Sequence, residues 1–132
     1  PLKRGEKTLK PTFSTALHSI AVARVRIEYE INGAIWVCER KLREDFKQVS
    51  HLPDAFVRYQ GNNFIIEVER TQKSNTRIQN IISTNASLPE ISEVHYWTPS
   101  SLSNFVQAQI NSLHPSIRNK VRILPLPTEV DR

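Results

Sequence analysis

The chain has 132 residues, 39% of them hydrophobic and 23% charged, an ordinary globular composition that is long enough for one domain with a real core and excludes a disordered chain. Eighteen Lys and Arg against thirteen Asp and Glu leave a net charge of +5, a balance that suits a phosphate backbone as partner but also serves plain solubility. Cys38 stands alone, which rules out a disulfide within the chain and argues against structural zinc.

No apolar run approaches the roughly 18 residues of a membrane span and no signal peptide is visible, so a cytoplasmic protein without membrane contact is expected. A start at Pro1 and the lack of Met imply a processed or excised chain, and an N-terminal domain is expected to precede it. Residues 1–11 read as a basic arm in which Lys3 and Arg4 are candidate phosphate contacts, with a simple tail as the alternative.

Thr12 or Ser14 can cap a helix running to about Ile31. Its apolar positions include Leu17, Ile20, Ala23 and Ile27, and Arg24–Glu28 and Arg26–Glu30 are opposite charges four apart. Val25–Ile31 also alternates like a strand, and Asn32-Gly33 is a hairpin signal; the helix is preferred, followed by a strand at 34–38 that makes Cys38 a small core residue. Glu39–Phe46 reads as a short surface helix. Ala55–Tyr59 and Phe64–Val68 flank the turn formers Gln60, Gly61, Asn62 and Asn63 and predict a β-hairpin.

Ser74 is placed to cap a helix whose core face is Ile78, Ile81 and Ile82. Glu93–Trp97 reads as a strand, and a helix follows Thr98-Pro99 through Phe105, Val106 and Ile110, stopping before Pro115. Val121–Leu124 is a last strand, and residues 126–132 form a tail. The order predicts one mixed α/β domain over residues 12–125.

The chemistry concentrates on the hairpin. Asp54 stands at the mouth of its first strand, and Glu67 and Glu69 lie two apart on the second, hence on one face. The isoleucines and valines around them predict burial, which makes the mutual repulsion worse and demands a compensating metal ion or Lys and Arg side chains. Carboxylates from adjacent strands can hold magnesium while leaving positions for water and phosphate. Plainer roles are open too: a turn residue for Asp54, edge-strand charges for Glu67 and Glu69. His18 and His51 are candidate neighbours of the site, Glu28 and Glu30 are accounted for by their arginines, and Trp36 and Trp97 read as core.

The element order, with Pro53-Asp54 on one strand and Glu67-Val68-Glu69 on the next, resembles the PD-(D/E)xK nuclease superfamily. That resemblance covers about residues 14–98 and implies a restriction-endonuclease-like αβββαβ core, with a C-terminal helix and strand added. It further implies a DNA endonuclease using Mg2+ or Mn2+ held by Asp54, Glu67 and Glu69. The chain departs from the pattern because Glu69 occupies the position of the motif Lys; Lys73, four residues on, is the candidate to contact the scissile phosphate or help activate water.

LHSIAVARVR, LPDAFVRY and FIIEVERTQKS together resemble the replication-relaxation family of plasmid proteins. This implies DNA processing in plasmid mobilisation, conjugation or replication, a relaxase-like nicking activity, and relaxosome or replication proteins as partners. Arg70, Lys73 and Arg77 join Lys3 and Arg4 as expected DNA contacts. The alternatives are a non-catalytic DNA-binding or relaxosome accessory module of the same fold, or a protein-interaction domain; oligomerisation is left open.

Overall fold

The computed structural model describes residues 13–45 and 51–127. Ten elements follow one another: α1 (Phe13–Ile31), β1 (Ile35–Cys38), α2 (Glu39–Asp45), β2 (Ala55–Tyr59), β3 (Asn62–Val68), α3 (Asn75–Ala86), β4 (Glu93–Thr98), α4 (Ser100–Asn111), α5 (Pro115–Arg118) and β5 (Val121–Pro125). The five strands form one sheet in chain order, β1-β2-β3-β4-β5. The first three pair antiparallel, while β3–β4 and β4–β5 are parallel.

That change of direction is dictated by connection length. A two-residue turn can only reverse the chain, whereas a parallel neighbour needs a crossover, here α3 and then α4 with α5. Both crossovers step in the same direction across the sheet, so a right-handed connection puts both helices on the same face. Ile65 and Val94 accordingly pack with Ile78, Ile82, Val106 and Ile110 from α3 and α4. The opposite face, with Ala55, Val57, Ile66, Val68 and Trp97, meets Val25 of α1. Three layers result, and alternate residues of β3 serve different cores.

The hairpin turn is tighter than the sequence predicts. Gln60 and Gly61 alone form it, both with positive φ (50° and 79°), and Asn62 and Asn63 already belong to β3. Two successive positive φ values are the signature of the hairpin turn whose twist matches its strands. Ser74 caps α3 as expected, its side chain accepting from the Arg77 backbone N–H. The expected cap at Thr12 and the basic-arm residues Lys3 and Arg4 lie outside the described residues.

Several expectations need correction. α1 is a helix throughout, but its sheet-facing side is Ala21, Val22, Val25 and Tyr29, while Ile20 and Ile27 point outward. The β-branched isoleucines advertised the wrong stripe, because the sheet surface under α1 has room for small residues and one long aromatic. Cys38 is exposed rather than core, since β1 is an edge strand covered on its inner side only by half-buried residues. Arg26 pairs with Glu30 at 3.1 Å, whereas Glu28 takes no ion-pair partner among the described residues. α2 is pinned by Leu42, which is buried. The last strand runs one residue further than expected, to Pro125, and the Leu126 N–H bonds the Thr98 carbonyl. No helix among the described residues is long and apolar enough to cross a membrane.

Candidate functional site

Asp54, Glu67 and Glu69 gather where β2 begins and β3 ends. The hairpin register pairs Ala55 with Ile66, so one further step places Asp54 opposite Glu67. Asp54 is fixed to this position twice through its neighbour strand. Its backbone N–H donates to the Ile66 carbonyl (3.1 Å), and its Oδ2 accepts from the Val68 N–H (2.8 Å). A carboxylate that takes over a strand's backbone bond in this way is held by the sheet itself rather than by a mobile side chain.

The remaining Asp54 oxygen, Oδ1, accepts from His18 Nε2 at 2.9 Å. His18 comes from α1, whose first half therefore closes one side of the site. Its pKa is raised, chiefly by this hydrogen bond and against the lowering effect of burial, with the charges of Asp54 and Glu69 adding to it. Arg70 reaches back to the same helix and donates to the Ser14 carbonyl at 3.4 Å.

Glu67 points to the α3 side, as the alternation of β3 requires. It is only 6% exposed, and its Oε2 accepts from His51 Nε2 (2.9 Å) and from Asn85 Nδ2 (2.7 Å). Burial is the main cause of its raised pKa, and the charge of Asp54 pushes the same way, while His51 and Asn85 pull it down. His51 in turn is raised, first by its hydrogen bond to Glu67. His51, a candidate neighbour of the site from the sequence, is bonded to Glu67.

Glu69 sits one residue beyond β3, its N–H donating to the Trp97 carbonyl at 2.8 Å. It too is buried, at 5% exposure, and it is ion-paired with Lys73, four residues further along the loop before α3. The expected reach of Lys73 toward the site is thus present, directed at Glu69. Tyr96, on the neighbouring strand β4, feels all three carboxylates: burial raises its phenol pKa first, and Glu67, Glu69 and Asp54 each raise it further. Its response places the three acids in one electrostatic neighbourhood.

Among the described residues the compensation demanded by the buried acids is therefore supplied by His18, His51, Lys73 and Asn85, with no arginine paired to them. Among the described residues no group of three or more His, Cys, Asp or Glu side chains is arranged to hold a metal ion. An open cleft of about 490 Å3 borders His51 and is lined by Ser74, Arg77 and Asn80. A second groove of about 260 Å3 runs past Asp54 and His18 beside Arg26 and Trp36. Arg77 faces the first cleft, and Arg70 lies beside the Asp54–His18 pair.

Asn85 and Tyr96 were not singled out from the sequence. Asn85 carries a readable signal, since it follows Ile78 by seven residues and Ile81 and Ile82 by three or four, a polar residue placed on the buried stripe of α3. Tyr96 gave none, being one more aromatic in an apolar strand. No protein-family model matches the chain, and no curated protein matches it.

Proposed function

We propose that this domain processes DNA, cleaving phosphodiesters with a divalent metal at the end of the sheet where β2 begins and β3 ends. The observation that carries the reading is the convergence of Asp54, Glu67 and Glu69 from two neighbouring strands, with Lys73 returning to the third acid. The αβββαβ order over residues 13–98, with α2 inserted after β1, supports the restriction-endonuclease-like core and, with the motif wording, a mobile-element setting.

The donor set is of the right chemical type for Mg2+ or Mn2+, both of which prefer oxygen ligands. Asp54, Glu67 and Glu69 are not arranged to hold an ion as their side chains stand, and would do so on giving up His18, His51 and Lys73. Once bound, it would supply a water of lowered pKa and positive charge opposite the phosphate. The chain's own residues do the rest. Val68 N–H orients Asp54, Asn85 orients Glu67, and Lys73 stands next to Glu69, where it can meet a phosphate oxygen. Arg77 lines the cleft beside His51 and Arg70 reaches back to α1 at Ser14, and both would receive the DNA backbone.

A second reading, a DNA-binding or accessory module without catalysis, is favoured by one observation: each carboxylate already has a protein partner. Supercoiled DNA incubated with the protein and Mn2+ separates the two. Nicking by the wild type, lost in Asp54→Ala and Glu67→Ala, together with heat on metal titration, supports the catalytic reading. Binding that weakens steeply with salt, without nicking or metal heat, leaves the accessory one.

A further inference from the structure

A cavity of about 440 Å3 opens on the α1 face of the sheet around the C-terminal turns of α1, and none of its lining residues belongs to the carboxylate site. Its walls are aromatic: Tyr29, Tyr59, Phe64, His95 and Trp97. Phe64 and His95 stack with centroids 4.6 Å apart, Tyr29 stacks on His95 at 5.8 Å, and Tyr29 meets Trp97 edge-on at 5.8 Å. At the mouth stand Glu28, Asn32 and the exposed side chain of Ile31.

Of the wall's polar groups, those of Tyr29, His95 and Trp97 are already spent, and the Tyr59 hydroxyl has no partner among the described residues. Trp97 Nε1–H donates to the Tyr29 hydroxyl (2.8 Å), which donates to His95 Nδ1 (2.6 Å). His95 Nε2–H donates to Glu93 (2.8 Å), and Glu93 is paired with Arg122 at 3.2 Å. This chain has one consistent direction with a neutral His95, in keeping with a pKa that burial lowers. Apart from the Tyr59 hydroxyl, that wall has no unused donor among the described residues to offer a ligand. What the pocket still offers is ring faces, the Glu28 carboxylate, which has no side-chain partner among the described residues, and the Asn32 side-chain amide, one of whose two N–H groups is used on the Glu28 carbonyl (2.8 Å).

Ring faces carry negative potential, and the one formal charge among the described lining residues, that of Glu28, is negative. An anion, a phosphate included, is repelled. A positive group is drawn in twice, once by Glu28 and once by the rings, and an aliphatic stem behind it would cover Ile31. The geometry points to a binding site for a cationic side chain, an arginine or lysine presented by a basic peptide segment of a partner protein. This site is independent of the reading of Asp54, Glu67 and Glu69, and the two can fail separately.

Titration with N-acetyl-arginine amide, followed by the NMR shift of the Trp97 indole N–H, tests the site, with N-acetyl-citrulline amide as the uncharged match and AMP as the nucleotide control. The arginine probe should shift Trp97 saturably and bind about tenfold more tightly than the citrulline probe. Glu28→Gln should weaken the arginine probe about fivefold and leave the unfolding midpoint unchanged, because Glu28 is exposed. Tyr59→Leu, which removes one ring but keeps an apolar side chain, should weaken it too. Equal affinity for arginine and citrulline, preferential binding of AMP, or arginine-induced shifts confined to Asp54 and Glu69 would each overturn the proposal.

Discussion

Glu67→Gln is expected to stabilise the fold at alkaline pH while removing whatever chemistry the site performs. Glu67 is fully enclosed, and burial is the first cause of its raised pKa. A carboxyl with a raised folded-state pKa contributes most below its ordinary value and loses that contribution as pH climbs through the elevated one. His51, also raised, contributes most below its usual 6.5 and loses that contribution as pH climbs through its own folded value. Both steps therefore weaken the wild type on going from acid to alkaline pH. In the glutamine variant the first step is gone and the second has lost its main cause.

The magnitudes decide the sign. Burying a carboxylate costs several kcal/mol even after relaxation. A charge-assisted bond from protonated His51 offsets about 1.5–3 kcal/mol of that, and a neutral one only about 0.5–1.5 kcal/mol. Glutamine keeps an oxygen for Asn85, so that bond survives. The variant should therefore be more stable by about 1–3 kcal/mol at pH 8.5, and by about 1 kcal/mol or less at pH 5.5. Urea unfolding of both proteins at the two pH values measures this difference directly. A variant less stable than wild type at pH 8.5 would refute the reasoning, because the carboxylate would then be a net anchor for His51 and Asn85.

Three further outcomes follow from single positions. Thr98 is fully buried and its Oγ1 finds no hydrogen-bond partner among the described residues, so Thr98→Val should raise stability by about 1 kcal/mol in the same assay; an equal loss would reveal a partner for the hydroxyl. Gly61 has φ of +79° and open space where a Cβ would stand, so Gly61→Ala should cost about 1 kcal/mol through backbone strain alone, readable as a shift of the urea midpoint without a change of slope. Arg77→Ala, at the cleft beside His51, should leave folding intact and lower the dependence of DNA affinity on salt by about one counterion, measured by fluorescence anisotropy across a salt series.

Much of this fold was legible because local signals agreed with one another. The hairpin was marked by Gln60 and Gly61 between apolar runs, and α3 by Ser74 and an isoleucine stripe. Where signals conflicted, tertiary context decided. Val25–Ile31 alternates like a strand, yet Val25 and Tyr29 four residues apart are what the sheet buries, and the helix prevails. The outward Ile20 and Ile27 were misleading for the same reason: hydrophobicity along α1 does not say which stripe finds a partner. At the site, the three acids could be found from spacing and burial pattern, but their partners could not. His18 lies 36 residues from Asp54 and Asn85 lies 18 from Glu67, and only the packing of α1 and α3 on opposite faces brings them in.

The choice of those partners carries physical meaning. Arginine keeps its charge at every accessible pH and binds carboxylates through a rigid fork, so an arginine beside Glu67 would hold it permanently. This chain instead sets a neutral amide and a histidine on Glu67, a histidine on Asp54, and a flexible lysine on Glu69. Asp54 and Glu67 thus each have one contact that fixes direction and one that can be given up, while Glu69 has the releasable one. Val68 N–H fixes Asp54 and Asn85 fixes Glu67, because a backbone amide in a sheet and a buried helix side chain do not withdraw. His18, His51 and Lys73 are each partly exposed at the openings and can turn to solvent or to an incoming phosphate. On the catalytic reading proposed above, that division between fixed and releasable contacts has a use. It is what a site needs if its carboxylates must be balanced when empty and free to change partners when the substrate arrives.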